Sequence, residues 1–195
     1  MSDTLHVASD SKTHILDAAT TLFLKNGYEQ TTTREIARAL GMTQPALYHH
    51  FHDKEVLFVE VMQQVGQSIR TELENILKRQ YNEPIDQLVA MTLVIRTQHP
   101  RDVFTLIHGS FGALSSSGQQ SLGRIFGRDY VGPIARFFAQ PAVHLREHVD
   151  PKMASSFYIT SLAPIFGDFH ALNAQQDIQT RVQELVDLIL HGVVQ

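Results

Sequence analysis

Residues 32–54, TTREIARALGMTQPALYHHFHDK, leave this stretch very few ways to fold. Thr32 and Glu35 stand at T-x-x-E spacing, in which each residue satisfies a free N–H of the other at a helix start. Ile36, Ala37 and Leu40 give that helix one apolar face. Gly41 follows where the chain must leave the helix with a positive φ. Thr43 is a good N-cap for a second helix, and Pro45 falls in its first turn, where a missing N–H costs little. Leu47 and Phe51 lie four apart, so both can face inward. Asp53 caps a third helix that starts at Lys54. Helices this short do not hold alone in water and must pack on a neighbour. The neighbour is a helix over Lys12 to Asn26, with Ile15, Ala18, Ala19, Leu22 and Phe23 at helical spacing and Asn26-Gly27 as its stop.

Two short helices joined by a tight turn form the geometry that sets a helix in the DNA major groove. The recognition helix runs from Thr43 to His50. With Leu47 and Phe51 inward, Gln44, Pro45, Ala46, Tyr48 and His49 are left outside. Gln44 suits a bidentate pair with adenine, and Pro45 and Ala46 suit a thymine methyl. Helix starts at Thr32, Thr43 and Asp53 offer N–H groups to phosphates, with Arg34 and Lys54 adding charge nearby. The charge balance runs against this reading: residues 1–60 hold five basic and eight acidic residues, and the whole chain is −4. Residues 43–52 contain no Lys or Arg, which disfavours guanine readout and predicts an A·T-leaning half-site. His49, His50 and His52 do not share one helical face, so phosphate contact or solvation is expected of them and no metal site.

The segment AATTLFLKNGYEQTTTREIARALGMTQPALYHHFHDKEVLF resembles the N-terminal domain of the TetR family of bacterial transcriptional repressors. The matching marks are Phe23-x-x-x-Gly27-Tyr28, the Thr-rich helix entry, Ile36-Ala37, Gly41, Leu47-Tyr48, Phe51 and Lys54-Glu55-x-Leu57. They cover about residues 12–60. The resemblance implies that Tyr48 reaches the DNA backbone or a base edge and that Thr33, His50 and Lys54 bond phosphates. The expected DNA-binding set is therefore Thr33, Arg34, Thr43, Gln44, Pro45, Ala46, Tyr48, His49, His50 and Lys54. It also implies an all-α chain of about nine helices, a double-stranded operator, a small-molecule effector in the body, and a homodimer held by the last two helices. The expected organisation is a flexible arm over 1–11, a three-helix helix-turn-helix domain over 12–53, and a helical effector-binding and dimerisation domain over 54–195.

The remaining sequence fits a helical body. A helix from Asp53 to about Tyr81 carries Leu57, Val61, Val65, Ile69, Leu73, Ile76 and Leu77, with Gly66 permitting a bend or close packing. Ile85 to Gln98 and Asp102 to about Leu114 are further helices, and Ser115 to Gly118 is the clearest loop. Gln119 to Ala139 is helical with irregularities at Gly127, Gly132 and Pro133, and Pro141 to Val149 is irregular. Asp150-Pro151 opens a helix to about Leu172, kinked at Pro164, and Asp177 to Val193 is the last helix. Arg96, Phe104, His108, Phe111, Phe126, Tyr130, Phe157, Phe166, Phe169 and His170 are candidates for lining a pocket for a hydrophobic or aromatic effector, although such residues commonly serve as core. For the dimer interface, Ala154, Ser155, Ser161, Ala163 and Gly167 offer close approach, and Tyr158, Ile165, Val182, Leu185 and Ile189 offer apolar area.

Other classes are disfavoured. The chain has no cysteine, G-x-S-x-G, H-E-x-x-H or phosphate loop, so neither an enzyme nor a cofactor is expected. No apolar run reaches 18 residues and the first eleven are polar, so neither a membrane span nor a signal peptide is expected, and the cytoplasm is. The function so indicated is a homodimeric repressor released from a palindromic operator by a small effector. The rival is a DNA-binding protein whose body serves protein interaction without a small ligand.

Overall fold

The structure, a computed structural model, describes residues 2–100, 102–166 and 177–191. Among the described residues all regular structure is helical: α1 (Ser2–Asn26), α2 (Thr33–Ala39), α3 (Gln44–His50), α4 (Lys54–Leu77), α5 (Pro84–Gln98), α6 (Val103–Phe111), α7 (Ser116–Phe126), α8 (Gly132–Phe138), α9 (Pro151–Ser161) and α10 (Ile178–His191). A π-helical turn over Gly127–Val131 joins α7 to α8 without a break, and counting that rod once makes nine helices. A 3₁₀ turn, Ala163–Ile165, follows α9.

By packing, the described residues divide into two compact units. One takes Met1–Val65 and Leu106–Gly123; the other takes Gly66–Thr105 and Arg124–Gln195. The division therefore falls inside α4, after Val65, and not at residue 53. The first unit also recruits a distant stretch of chain.

The core of the first unit starts from α1, where Ile15, Ala19 and Phe23 are fully buried. Phe23 meets Phe58 of α4 edge-on at 5.1 Å, and Tyr28 lies 4.8 Å from Phe58. Ile36 and Ala37 of α2, Leu47 of α3, and Phe51 fill the rest. Each large side chain so buried contributes about 1.5–3 kcal/mol, which offsets the marginal stability of the seven-residue helices α2 and α3. Thr31 ties the entry to α2 back to α1 by donating its hydroxyl to Gly27 O at 2.8 Å and Leu22 O at 3.2 Å.

The second unit pairs α5 with α10 and α8 with α9. Its largest buried side chains include Tyr130, Tyr158 and Phe137. Tyr158 shares a 2.5 Å hydrogen bond with Thr92, and Ser155 donates to Val131 O at 2.9 Å. Burial raises the phenol pKa of Tyr130 and of Tyr158 above the ordinary range, so both stay neutral.

Three boundaries differ from expectation, and one expected irregularity takes a definite form. Helix α1 begins at Ser2, so the first residues described continue the helix where a free arm was expected. Residues 116–118, read as loop, are the first turn of α7: Ser115 accepts from Gly118 N at 3.2 Å, the N-capping chemistry that also makes serine common in loops. Helix α9 stops at Ser161, three residues before Pro164, because that proline sits in the 3₁₀ turn and does not kink a longer helix. The rest of the span to Leu172, including Gly167, lies outside the described residues. The irregularity at Gly127, Gly132 and Pro133 is the π turn. Pro133 has no N–H, and Gly132 N–H reaches back five residues to Gly127 O.

Candidate nucleic-acid interface

Helices α2 and α3 are set by their caps. Thr32 Oγ1 accepts from Glu35 N at 3.2 Å while Thr32 N donates to Glu35 Oε2 at 2.8 Å, closing the capping box. Those bonds to Thr32 hold the Glu35 carboxyl below its ordinary pKa. At the other end of α2, Met42 N donates to Ala37 O at 3.0 Å and Gly41 N to Arg38 O at 3.2 Å, with Gly41 at φ +65°. This is the Schellman closure, and it fixes the turn into α3. Thr43 caps α3 through Ala46 N at 3.4 Å, and Asp53 caps α4 through Val56 N at 2.7 Å.

The expected DNA-contacting side chains take different positions. Arg34, Thr43, Pro45, Tyr48, His49 and His50 are exposed; Gln44, Ala46 and Lys54 are half-buried; Thr33 is buried, at 6% exposure. Gln44 Nε2 donates to Thr33 Oγ1 at 2.9 Å, and the Tyr48 hydroxyl lies 3.2 Å from the same oxygen. Thr33, Gln44 and Tyr48 therefore form one polar cluster. The Lys54 ammonium lies 4.3 Å over the Tyr28 ring and donates to Glu29 O at 3.5 Å. Its burial lowers its pKa, opposed by Glu29 and Glu35. Arg38, absent from the expected set, is exposed one helical turn from Arg34. Both line an open cleft of about 660 Å³ together with Glu35, Gly41, Met42 and Gln44. The i, i+4 spacing of Arg34 and Arg38 was the signal that could have found it. Among the described residues no group of three or more potential metal ligands occurs.

The expected pocket residues do not form one set. His108 and Phe111 belong to the first unit, with His108 exposed. In the second unit Arg96 Nε donates to Ile165 O at 3.2 Å and its guanidinium lies 5.8 Å from the Phe166 ring. Tyr130 is fully buried, stacks with Phe126 at 5.6 Å, and shares a 2.9 Å hydrogen bond with His99 Nε2. Phe104 is half-buried, and His170 and Phe169 lie outside the described residues. Phe157 is 60% exposed on α9, so it faces away from the subunit core and lines no interior pocket. His99 itself was missed. It continues the buried stripe Leu88, Met91, Thr92, Ile95 at helical spacing, a signal masked by its reading as a helix stop.

The expected interface residues also divide by burial. Ala154, Tyr158, Ile165 and Val182 are buried within the subunit, and Ser161, Leu185 and Ile189 are half-buried. The apolar side chains left outside are Met153 and Phe157 on α9 and Ile178 and Leu188 on α10. Helix α9 carries apolar residues on both faces, so periodicity could not choose between them.

A capped helix pair closed by a tight glycine turn and seated on a third helix is the helix-turn-helix architecture. Residues 15–61 match the model of the bacterial regulatory proteins of the tetR family. Those residues carry the N-terminal domain of that family. The chain is 39% identical over 88 residues to the HTH-type transcriptional regulator AcrR of Shigella flexneri, covering 45% of this chain and 40% of AcrR. The chain thus spans less than half the length of the curated relatives it matches. Similar solved structures extend further. FadR from Bacillus subtilis in complex with stearoyl-CoA has a TM-score of 0.65 at 17% identity, covering 93% of this chain and 99% of that one. AibR in complex with isovaleryl coenzyme A and operator DNA has a TM-score of 0.68 at 22% identity, covering 92% and 97%. These two share the fold. Among the described residues no helix is long and apolar enough to cross a membrane.

Proposed function

We propose that this protein is a cytoplasmic, homodimeric DNA-binding repressor that leaves a palindromic operator when a small molecule binds its helical body. The observation that carries the reading is the α2–turn–α3 element. Its inner face is buried through Ile36, Ala37 and Leu47, and its outer face presents Arg34, Pro45, Tyr48, His49 and His50. Two such elements on one dimer read half-sites about one DNA turn apart. The exposed Met153, Phe157, Ile178 and Leu188 supply the apolar area for pairing the subunits.

Release requires that the effector bind better to a conformation in which the two recognition helices are wrongly spaced. Helix α4 is the lever, since its residues to Val65 belong to the first unit and those from Gly66 to the second. Acyl-coenzyme A thioesters, straight and branched, are the first effectors to test, because FadR and AibR carry such ligands. The effector weakens operator binding, and operator weakens effector binding by the same factor.

A fluorescence-anisotropy titration with DNA from the protein's own upstream region, over a salt series, tests the reading. Saturable binding that resists competitor DNA, at two subunits per site, is expected. Weak binding that vanishes with modest salt on every sequence offered, random-selected DNA included, would overturn it.

A further inference from the structure

Thr33 sits in the first turn of α2, yet its hydroxyl serves α3. Its Oγ1 accepts Gln44 Nε2 at 2.9 Å and lies 3.2 Å from the Tyr48 hydroxyl. Gln44 and Tyr48 are four residues apart on α3, so they stand one above the other on a single helical face. One buried oxygen on the supporting helix therefore holds two side chains of the recognition helix. That oxygen therefore has two partners within the protein.

The hydrogen-bond inventory shows what is left over. A glutamine amide has two N–H donors and one carbonyl acceptor. Thr33 takes one donor and leaves one N–H with Oε1, the pair that a bidentate contact to adenine requires. The threonine hydroxyl has one proton of its own; donated to Tyr48, it leaves the phenolic proton directed outward. A free glutamine rotates about three side-chain bonds and can present either end of its amide. Tethered at Nε2, it presents one.

Building on the regulator reading above, we infer that Thr33 is a positioning residue for base recognition: it orients Gln44, and with it Tyr48, so that the operator's sequence preference at the Gln44 position depends on the Thr33 hydroxyl. Thr33→Val keeps the shape and removes the hydroxyl. Thr33→Ser keeps the hydroxyl and removes the methyl.

The test selects binding sites from random double-stranded DNA with the full-length protein in four forms: unsubstituted, Gln44→Ala, Thr33→Val and Thr33→Ser. Anisotropy is then measured on the enriched site and its single-base derivatives. Gln44→Ala flattens the preference at one A·T pair in each half-site. Thr33→Val flattens the same pair by a factor of about 3–10, the worth of one net hydrogen bond. It adds nothing further in the Gln44→Ala background. Thr33→Ser restores the preference, which separates the tether from any general loss of packing. A Thr33→Val protein that binds every sequence more weakly by one common factor, with the Gln44 position still discriminating, overturns the inference and leaves the regulator reading standing. No enriched sequence from the unsubstituted protein overturns both.

Discussion

His99 is wholly buried, with one ring nitrogen bonded to Tyr130 and the other, Nδ1, without a partner among the described residues. Burial pushes its pKa down from 6.5 to about 4. Between those values the unfolded chain binds a proton that the folded chain refuses, so this residue's contribution is complete above about pH 6.5 and is lost as pH falls towards 4. The expected loss is about 3 kcal/mol over that window. Denaturant unfolding at pH 7 and pH 5 checks it; His99→Phe should flatten the pH dependence. The same variant should cost about 1–3 kcal/mol at pH 7 by stranding the Tyr130 hydroxyl. Gly66 is a second position where one atom decides. A Cβ there would sit 2.7 Å from Asp129 Oδ2 and 3.0 Å from Ile125 Cγ2. Asp129 cannot yield easily, because Arg128 grips both its oxygens at 2.7 Å and Arg70 adds a contact at 3.4 Å. Gly66→Ala gains about 1 kcal/mol of helix propensity. It forces overpacking worth about 1–3 kcal/mol. Net destabilisation is expected, seen as a lower midpoint in urea.

Helices α2 and α3 were legible in the sequence because their boundaries are written locally: Thr32 with Glu35, Gly41, Thr43 with Pro45, and Asp53 each act within five residues. Thr32→Ala should therefore destabilise the first unit by about 1 kcal/mol, and the capping role predicts that Thr32→Asn recovers most of it. Thermal unfolding of the two variants distinguishes a lost cap from lost packing. Elements whose character depends on distant chain were not legible. Ser115 looked like loop because serine serves both loops and caps; its hydroxyl and N–H both bond Glu55, 60 residues away. The π turn coincides with Pro133, which lacks an N–H, and with Asp129 lying against Gly66, a pairing no local pattern announces. The outer face of α9 could not be chosen from the sequence because Tyr158 and Phe157 are adjacent and both apolar, and only the packing of Tyr158 on Thr92 and Phe138 separates them.

For the molecule as a whole, the exposed apolar residues carry the prediction about assembly. Phe157→Glu places a charge where the proposed dimer buries a ring and disturbs little within the subunit, since Phe157 is 60% exposed. Sedimentation velocity should show a shift from dimer to monomer, and operator affinity should fall at least tenfold, because a single reading head loses the second half-site. An unchanged dimer would move the interface elsewhere. The two-part organisation has a different consequence for how such proteins exchange parts. The reading head is completed by Phe58 and Val61 of α4 and by residues 106–123, clasped through the Glu55–Ser115 bonds. Recombination that transplants residues 1–53 from a relative would deliver a head without its floor. Inheritance of a new operator preference in this lineage is therefore easiest by changing the surface of α2 and α3 one residue at a time, on a foundation that two separate stretches of the gene must supply together.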